Sequence, residues 1–219
     1  MIHPYIDWHG PINEYQLNRI QETIYKALDA YPRLMAFRVD LRLPVDWSSW
    51  GIEYSDMPTH FANVDSAVIT RFINSLANQL QHEQTIKKQN GLRIRRTDMF
   101  YVWVREIGMD GNWHYHLLIM LNKDTYAFLG KANGLGTGII RKINVAWSRA
   151  LNIDIEDACK LTVIPSNPCY YLNANDDQCI FSEKLNELMH RVSYLAKRET
   201  KQYGSGHHNF GTGRKKISQ

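Results

Sequence analysis

The stretch Met99–Leu121, MFYVWVREIGMDGNWHYHLLIML, constrains this chain more than any other. Two runs rich in β-branched and aromatic residues flank a Met-Asp-Gly-Asn tip, the pattern of a β-hairpin. On the second run His114 and His116 stand two residues apart. Strand residues alternate faces, so both imidazoles project from one side with Cα atoms roughly 6–7 Å apart. That spacing lets two ligands converge on one metal ion. Glu106, on the first run, is the candidate third ligand.

Register decides whether Glu106 can reach. A two-residue Asp110-Gly111 turn pairs it with Tyr115 on the wrong face. A three-residue loop over Asp110, Gly111 and Asn112 pairs it with His116 on the right one. The metal reading therefore expects an odd-length loop. A lone His-x-His matches often by accident, and two solvated histidines are the bland alternative.

At 219 residues, with 44% hydrophobic and 22% charged side chains, the chain supports one sizeable core, read as a single domain over 1–219. A net charge of +4 permits a nucleic-acid partner without demanding one. The apolar runs are too short to cross a bilayer, and the start MIHPYIDWHG lacks the basic and apolar regions of a secretory signal. Cys159, Cys169 and Cys179 are odd in number and form no CxxC pair, which argues against a disulfide framework. A cytoplasmic protein without a membrane partner is expected.

Along the chain, Leu17, Ile20, Ile24, Ala27 and Leu28 fall at helical spacing and Pro32 ends the run, giving an N-terminal helical extension over 1–32. RLMAFRVDLRLP alternates as a strand, with Met35, Phe37, Val39 and Leu41 on an apolar side and Arg38, Asp40 and Arg42 on a charged one. Those charges are either solvated or in contact with phosphate. Residues 44–64 form a long loop carrying Trp47, Trp50 and Tyr54, which either close over the core or stack on bases. Val68, Ile69, Phe72, Ile73, Leu76 and Leu80 mark a second helix that stops near Gly91. Between Gln84 and Thr97 lie Lys87, Lys88, Arg93, Arg95 and Arg96 with no acid, a one-signed cluster leading into the candidate site.

After the hairpin, GKANGLGTG lacks the ending of a phosphate loop and reads as a flexible connection. A helix with Ile139, Ile140, Ile143, Ala146, Trp147 and Ala150 on its buried side follows, and CKLTVIP reads as a strand. From residue 33 the order is strand, helix, strand, strand, helix, strand. That order predicts an α+β fold: a central antiparallel, ferredoxin-like (split βαβ) sheet with helices on one face and an open active-site face.

The last helix is expected over FSEKLNELMHRVSYLAKRETK, where Tyr194 and Lys197, three apart, would be surface neighbours with Cβ atoms roughly 5–6 Å apart. Past His190 seven Lys/Arg face one acid, Glu199, and Gly204, Gly206, Gly211 and Gly213 interleave with them. Residues 203–219 accordingly read as a basic flexible tail suited to a phosphate backbone.

His114-Tyr115-His116, followed much later by Tyr194-Leu195-Ala196-Lys197, resembles the HUH endonucleases. More narrowly, RVDLR at 38–42, YVWVRE at 101–106, WHYHLLIMLN at 113–122, AWSRALN at 146–152 and YLAKRETK at 194–201 resemble the inovirus-type (filamentous-phage) replication initiators and their YagK/YfjJ prophage relatives. The resemblance implies rolling-circle replication initiation: a site-specific, metal-dependent endonuclease nicking single-stranded origin DNA through a 5′-phosphotyrosine. Tyr194 would be the nucleophile, Lys197 its charge partner, and Glu106, His114 and His116 the ligands of Mg²⁺ or Mn²⁺, with Zn²⁺ compatible with the same donors. DNA contacts are expected from Arg38, Arg42, Arg93, Arg95, Arg96, Lys201, Arg214, Lys215 and Lys216, and host replication proteins are expected as further partners. Only one tyrosine occupies the second motif, Tyr203 being a distant substitute. A non-catalytic DNA-binding regulator on the same sheet and a hydrolase of small phosphoesters are the competing readings. They differ in whether Tyr194 faces the histidine pair.

Overall fold

A computed structural model describes residues 11–44, 62–95, 97–108, 111–198 and 208–217. Arg96, Lys201 and Tyr203, and the loop aromatics Trp47, Trp50 and Tyr54, lie outside the described residues. The chain folds as α1 (Glu14–Ala30), β1 (Arg33–Arg42), α2 (Val68–Gln89), β2 (Asp98–Ile107), β3 (Trp113–Asn122), α3 (Gly138–Leu151), α4 (Ile155–Leu161), β4 (Thr162–Val163), β5 (Cys169–Asn173), α5 (Gln178–Ser193) and β6 (Phe210–Lys216). This is an α+β fold around one open six-stranded sheet. Every pairing is antiparallel, in the order β4-β1-β3-β2-β6, with β5 also paired to β1. The first four positions follow the split βαβ arrangement.

The period-two pattern of β1 sets the layers. Its odd residues Met35, Phe37, Val39 and Leu41, with Leu117, Ile119 and Leu121 of β3, pack under α2 and α3. There Phe72 and the fully buried Trp147 meet edge to face at 5.9 Å. Burial of rings and aliphatic chains of this size is worth about 1.5–3 kcal/mol each.

The opposite face is not wholly open, contrary to the expectation of helices on one face. Leu34 and Ala36 of β1, Phe100, Val102 and Val104 of β2, and Leu118 and Met120 of β3 are apolar there. They are covered by Ile20, Ile24 and Ala27 of α1 and by Leu188 and Val192 of α5. An amphipathic helix buries its apolar stripe wherever an apolar face is free, so α1 is part of the fold and not an appendage. Towards the hairpin tip the same face turns polar, through Arg38, Asp40, Arg42, Glu106, His114 and His116.

Two other expectations change. CKLTVIP contributes only the short β4, because Cys159–Leu161 complete α4 behind an acidic first turn of Glu156 and Asp157; β5 continues that edge along β1. The tail is not flexible over Phe210–Lys216, which pair along β2. Its glycines serve close approach: Gly211 and Gly213 stand opposite Trp103 and Tyr101, and a Cβ at Gly211 would fall 2.5 Å from Trp103 Nε1. Among the described residues no helix is long and apolar enough to cross a membrane.

Candidate metal centre

The β2–β3 hairpin carries the three candidate ligands. Gly108 N–H donates to the Asn112 carbonyl at 2.9 Å and Gly111 N–H to the Gly108 carbonyl at 3.0 Å, with Gly111 at φ +75°. The loop between paired residues is thus odd in length, as the metal reading requires. It closes one residue earlier than expected, however, so Glu106 lies opposite His114 and not His116. The two registers differ by two residues across the ladder, and a shift of two preserves the face.

On that face His114 Nε2 is 3.0 Å from His116 Nε2, which is 3.5 Å from Glu106 Oε2. One ligand atom from each residue lies within 4.8 Å of the other two. Glu106 is 1% exposed and His116 9%. Adjacent ligands around an ion with bonds of about 2.1 Å stand about 3.0 Å apart, so the separations suit a shared cation.

The hydrogen bonds make the same demand. His116 Nδ1 lies 2.6 Å from Asp40 Oδ1, and His114 Nδ1 lies 3.4 Å from the Asn112 carbonyl. Both partners only accept, which assigns the ring protons to the two Nδ1 atoms. Arg38 Nη2 is 3.3 Å from the same His116 nitrogen, but a guanidinium only donates. Its productive contact is Asp40 Oδ1 at 3.1 Å. The two Nε2 atoms then face each other at 3.0 Å beside the buried Glu106 carboxylate, a donor set that suits one shared cation.

The local charges are ordered accordingly. Burial alone would raise the Asp40 carboxyl, yet the hydrogen bond and charge of His116, with those of Arg38, hold it below the usual range. Burial would depress His116, and the Asp40 and Glu106 carboxylates outweigh it to raise the ring. His114 is lowered, first by burial and then by the neighbouring His116.

Tyr194 reaches the same place from another direction. Its ring meets the His116 ring edge to face at 6.0 Å, and the Arg38 guanidinium lies 5.9 Å from its centroid. Tyr194 and Lys197 lie past the end of the last α-helix, not within it as expected, in a turn closed by the Lys197 N–H on the Tyr194 carbonyl at 3.1 Å. The last helix ends at Ser193, Tyr194–Ala196 make one 3₁₀ turn, and Lys197 is extended at φ −60°, ψ 139°. The segment before α1 holds that turn: Asn13 N–H donates to the Ala196 carbonyl at 2.8 Å, Arg198 N–H to the Pro11 carbonyl at 3.0 Å, and Ile12 bridges Lys197.

The expected DNA contacts scatter. Arg38 is buried and engaged with Asp40, whereas Arg42 is exposed on the site face opposite His114. Arg93 and Arg95 do not adjoin the site. They precede the far end of β2, eight residues from Glu106, or about 26 Å at ~3.3 Å per residue. Arg93 is exposed, and Arg95 pairs with Asp124 at 2.9 Å. Arg214 is held by the Asp98 carboxylate, its Nε at 2.8 Å. Lys215 is half-buried and Lys216 exposed. Asp40 was legible only as one charge on an alternating strand; the cross-strand register that sets it against His116 was not.

Residues 1–213 match the YagK/YfjJ C-terminal domain family. The chain belongs to that family. This YagK/YfjJ-family chain is 36% identical over 199 residues to YfjJ of Escherichia coli strain K12, covering 90% of itself and 92% of that protein. It is 34% identical over 210 residues to YagK of the same strain, covering 93% and 94%. Among solved structures, the N-terminal nuclease domain of minute virus of mice non-structural protein 1 aligns over 89% of the chain and 77% of its own, at 12% identity and a TM-score of 0.26, too slight a likeness to bear on fold or function.

Proposed function

We propose that this YagK/YfjJ-family chain is a metal-dependent DNA endonuclease of the HUH type, initiating rolling-circle replication of a phage or prophage by nicking single-stranded origin DNA. The observation that carries the reading is Tyr194, whose ring lies 6.0 Å from that of His116 on the face that also holds Glu106 and His114. A DNA-binding regulator has no need of a tyrosine there.

In the proposed reaction the Tyr194 oxygen attacks the scissile phosphorus. The Oη–P bond forms and the P–O3′ bond breaks, leaving a 5′-phosphotyrosine and a free 3′-hydroxyl. The phenol proton passes to solvent as the departing oxygen gains one, and the retained ester allows rejoining. Glu106, His114 and His116 would hold the ion, Mg²⁺ or Mn²⁺ for a phosphate substrate. Such an ion supplies Lewis-acid stabilisation of phosphate charge. Asp40 and Arg38 keep His116 oriented, while Lys197 and exposed Arg42 offset charge on the nucleophile and the DNA backbone.

The test is incubation of the protein with Mn²⁺ or Mg²⁺ and labelled single-stranded oligonucleotides, followed by a denaturing gel and peptide mapping. Wild type should form a covalent adduct at Tyr194. Tyr194→Phe should lose it while still binding metal and DNA, since removal of one hydroxyl leaves the ring's packing intact. An adduct on another tyrosine would reject Tyr194 as nucleophile. No adduct under any condition would favour the non-catalytic regulator.

A further inference from the structure

We infer that Asp40, itself held by Arg38, is a positioning residue: it fixes His116 as the Nδ1-protonated tautomer and turns its Nε2 towards the space shared with His114 and Glu106. The inference rests on the metal-centre reading above but not on the strand-cleavage chemistry.

Three observations support it. In the β1–β3 ladder Asp40 is directly opposite His116, so the backbone brings the two side chains together on one face. The Oδ1–Nδ1 separation of 2.6 Å is short even for a charge-assisted bond, and the same oxygen accepts from Arg38 Nη2 at 3.1 Å. Arg38 is 6% exposed and packed towards the Tyr194 ring, so the guanidinium that holds this oxygen is itself fixed in place.

The geometry also separates Asp40 from the ligands. It meets the ring nitrogen remote from Glu106 and His114, whereas His116 Nε2 is the atom they approach. Rotating the imidazole by half a turn about its Cβ–Cγ bond would replace Nδ1 by a carbon facing Asp40 and Nε2 by a carbon facing Glu106. Both polar contacts would be lost together. A carboxylate on the distal imidazole nitrogen also makes the metal-facing nitrogen a stronger donor, and loss of such a partner typically costs about 10–100-fold in metal affinity.

Two measurements test this. The first is ¹⁵N-histidine NMR of metal-free wild type at a pH where the His116 ring is neutral, in which its one ring proton is expected on Nδ1. The second is calorimetric titration with Mn²⁺ of wild type, Asp40→Ala and Asp40→Asn, with thermal melts to establish folding. Asp40→Ala should weaken Mn²⁺ binding by about 10–100-fold, and Asp40→Asn, which keeps an acceptor oxygen but not the charge, by less. A neutral His116 ring with its proton on Nε2 in wild type, or Mn²⁺ affinities in folded variants within about twofold of wild type, overturns the inference. Wild type that binds no Mn²⁺ overturns it as well. If Asp40→Ala does not fold, the wild-type tautomer and Asp40→Asn decide. Mn²⁺ binding that weakens in the variants while wild type forms no DNA adduct supports the positioning role and sinks only the nuclease reading.

Discussion

His114 and His116 share a strand face but not an environment, and their removal should differ accordingly. His114 is half-buried and leans on one carbonyl, whereas His116 is the partner of half-buried Asp40, itself paired with buried Arg38. His114→Ala is expected to weaken Mn²⁺ binding with little change in thermal stability. His116→Ala should weaken it equally and also destabilise the fold by about 1–3 kcal/mol, because half-buried Asp40 loses its shortest hydrogen bond. Paired melts and titrations check this. Equal stability of the two variants would show that Asp40 finds another donor, and unchanged Mn²⁺ binding in both would remove the pair from the metal site.

Elements make their own predictions. Gly211 and Gly213 of β6 lie under Trp103 and Tyr101. A valine at either position meets the ring and should cost about 1–3 kcal/mol by overpacking. An unchanged melting temperature would mean that β6 does not pair with β2. On the same side of the sheet Glu83 of α2 joins Lys87 at 2.5 Å to Lys142 of α3 at 3.0 Å. Burial would raise this carboxyl, but the two lysines outweigh it and hold it below the ordinary range. A carboxyl lowered on folding stabilises above its unfolded pKa of about 4.3, and that stability is lost as pH falls through the lower folded value. Glu83→Gln should therefore destabilise at pH 7, by at most about 1 kcal/mol for so exposed a bridge, and converge with wild type in acid. Denaturation at both pH values measures it; a deficit that persists in acid would assign the loss to packing.

At the scale of the molecule, positive charge sits at both ends of the sheet. Arg42 lies by the histidines, while Arg93, Arg95 and Lys216 lie about 26 Å away at the start of β2. A single strand that touches both ends spans about 8 nucleotides at ~3.4 Å each when stacked. On this hypothesis Arg93→Ala and Lys216→Ala should each flatten the slope of log affinity against log salt, by about 0.7 per lost contact with a single strand, without altering Mn²⁺ binding. Point substitutions serve better than removal of residues 203–219, which would take β6 from the sheet. Unchanged slopes would show that this end meets no phosphate.

Local periodicity by itself determined a good deal here. The alternation in β1 and in the hairpin put His114, His116, Glu106 and the charged residues of β1 on single faces, and the order of elements gave the split βαβ sheet, because strand and helix periods are properties of neighbouring residues. Only the tertiary structure decided what those faces meet. The glycines of the tail read as flexibility until the rings of β2 lay over them, since a missing Cβ permits both. Arg93 and Arg95 seemed close to the histidines along the chain, yet an antiparallel hairpin carries its flanks to the end opposite its tip. Asp40 and His116 are 76 residues apart, and Tyr194 is 78 residues beyond that ring. Contacts at such separations depend on strand register and on where a helix ends, quantities set by the packing of the whole sheet and not by any local pattern.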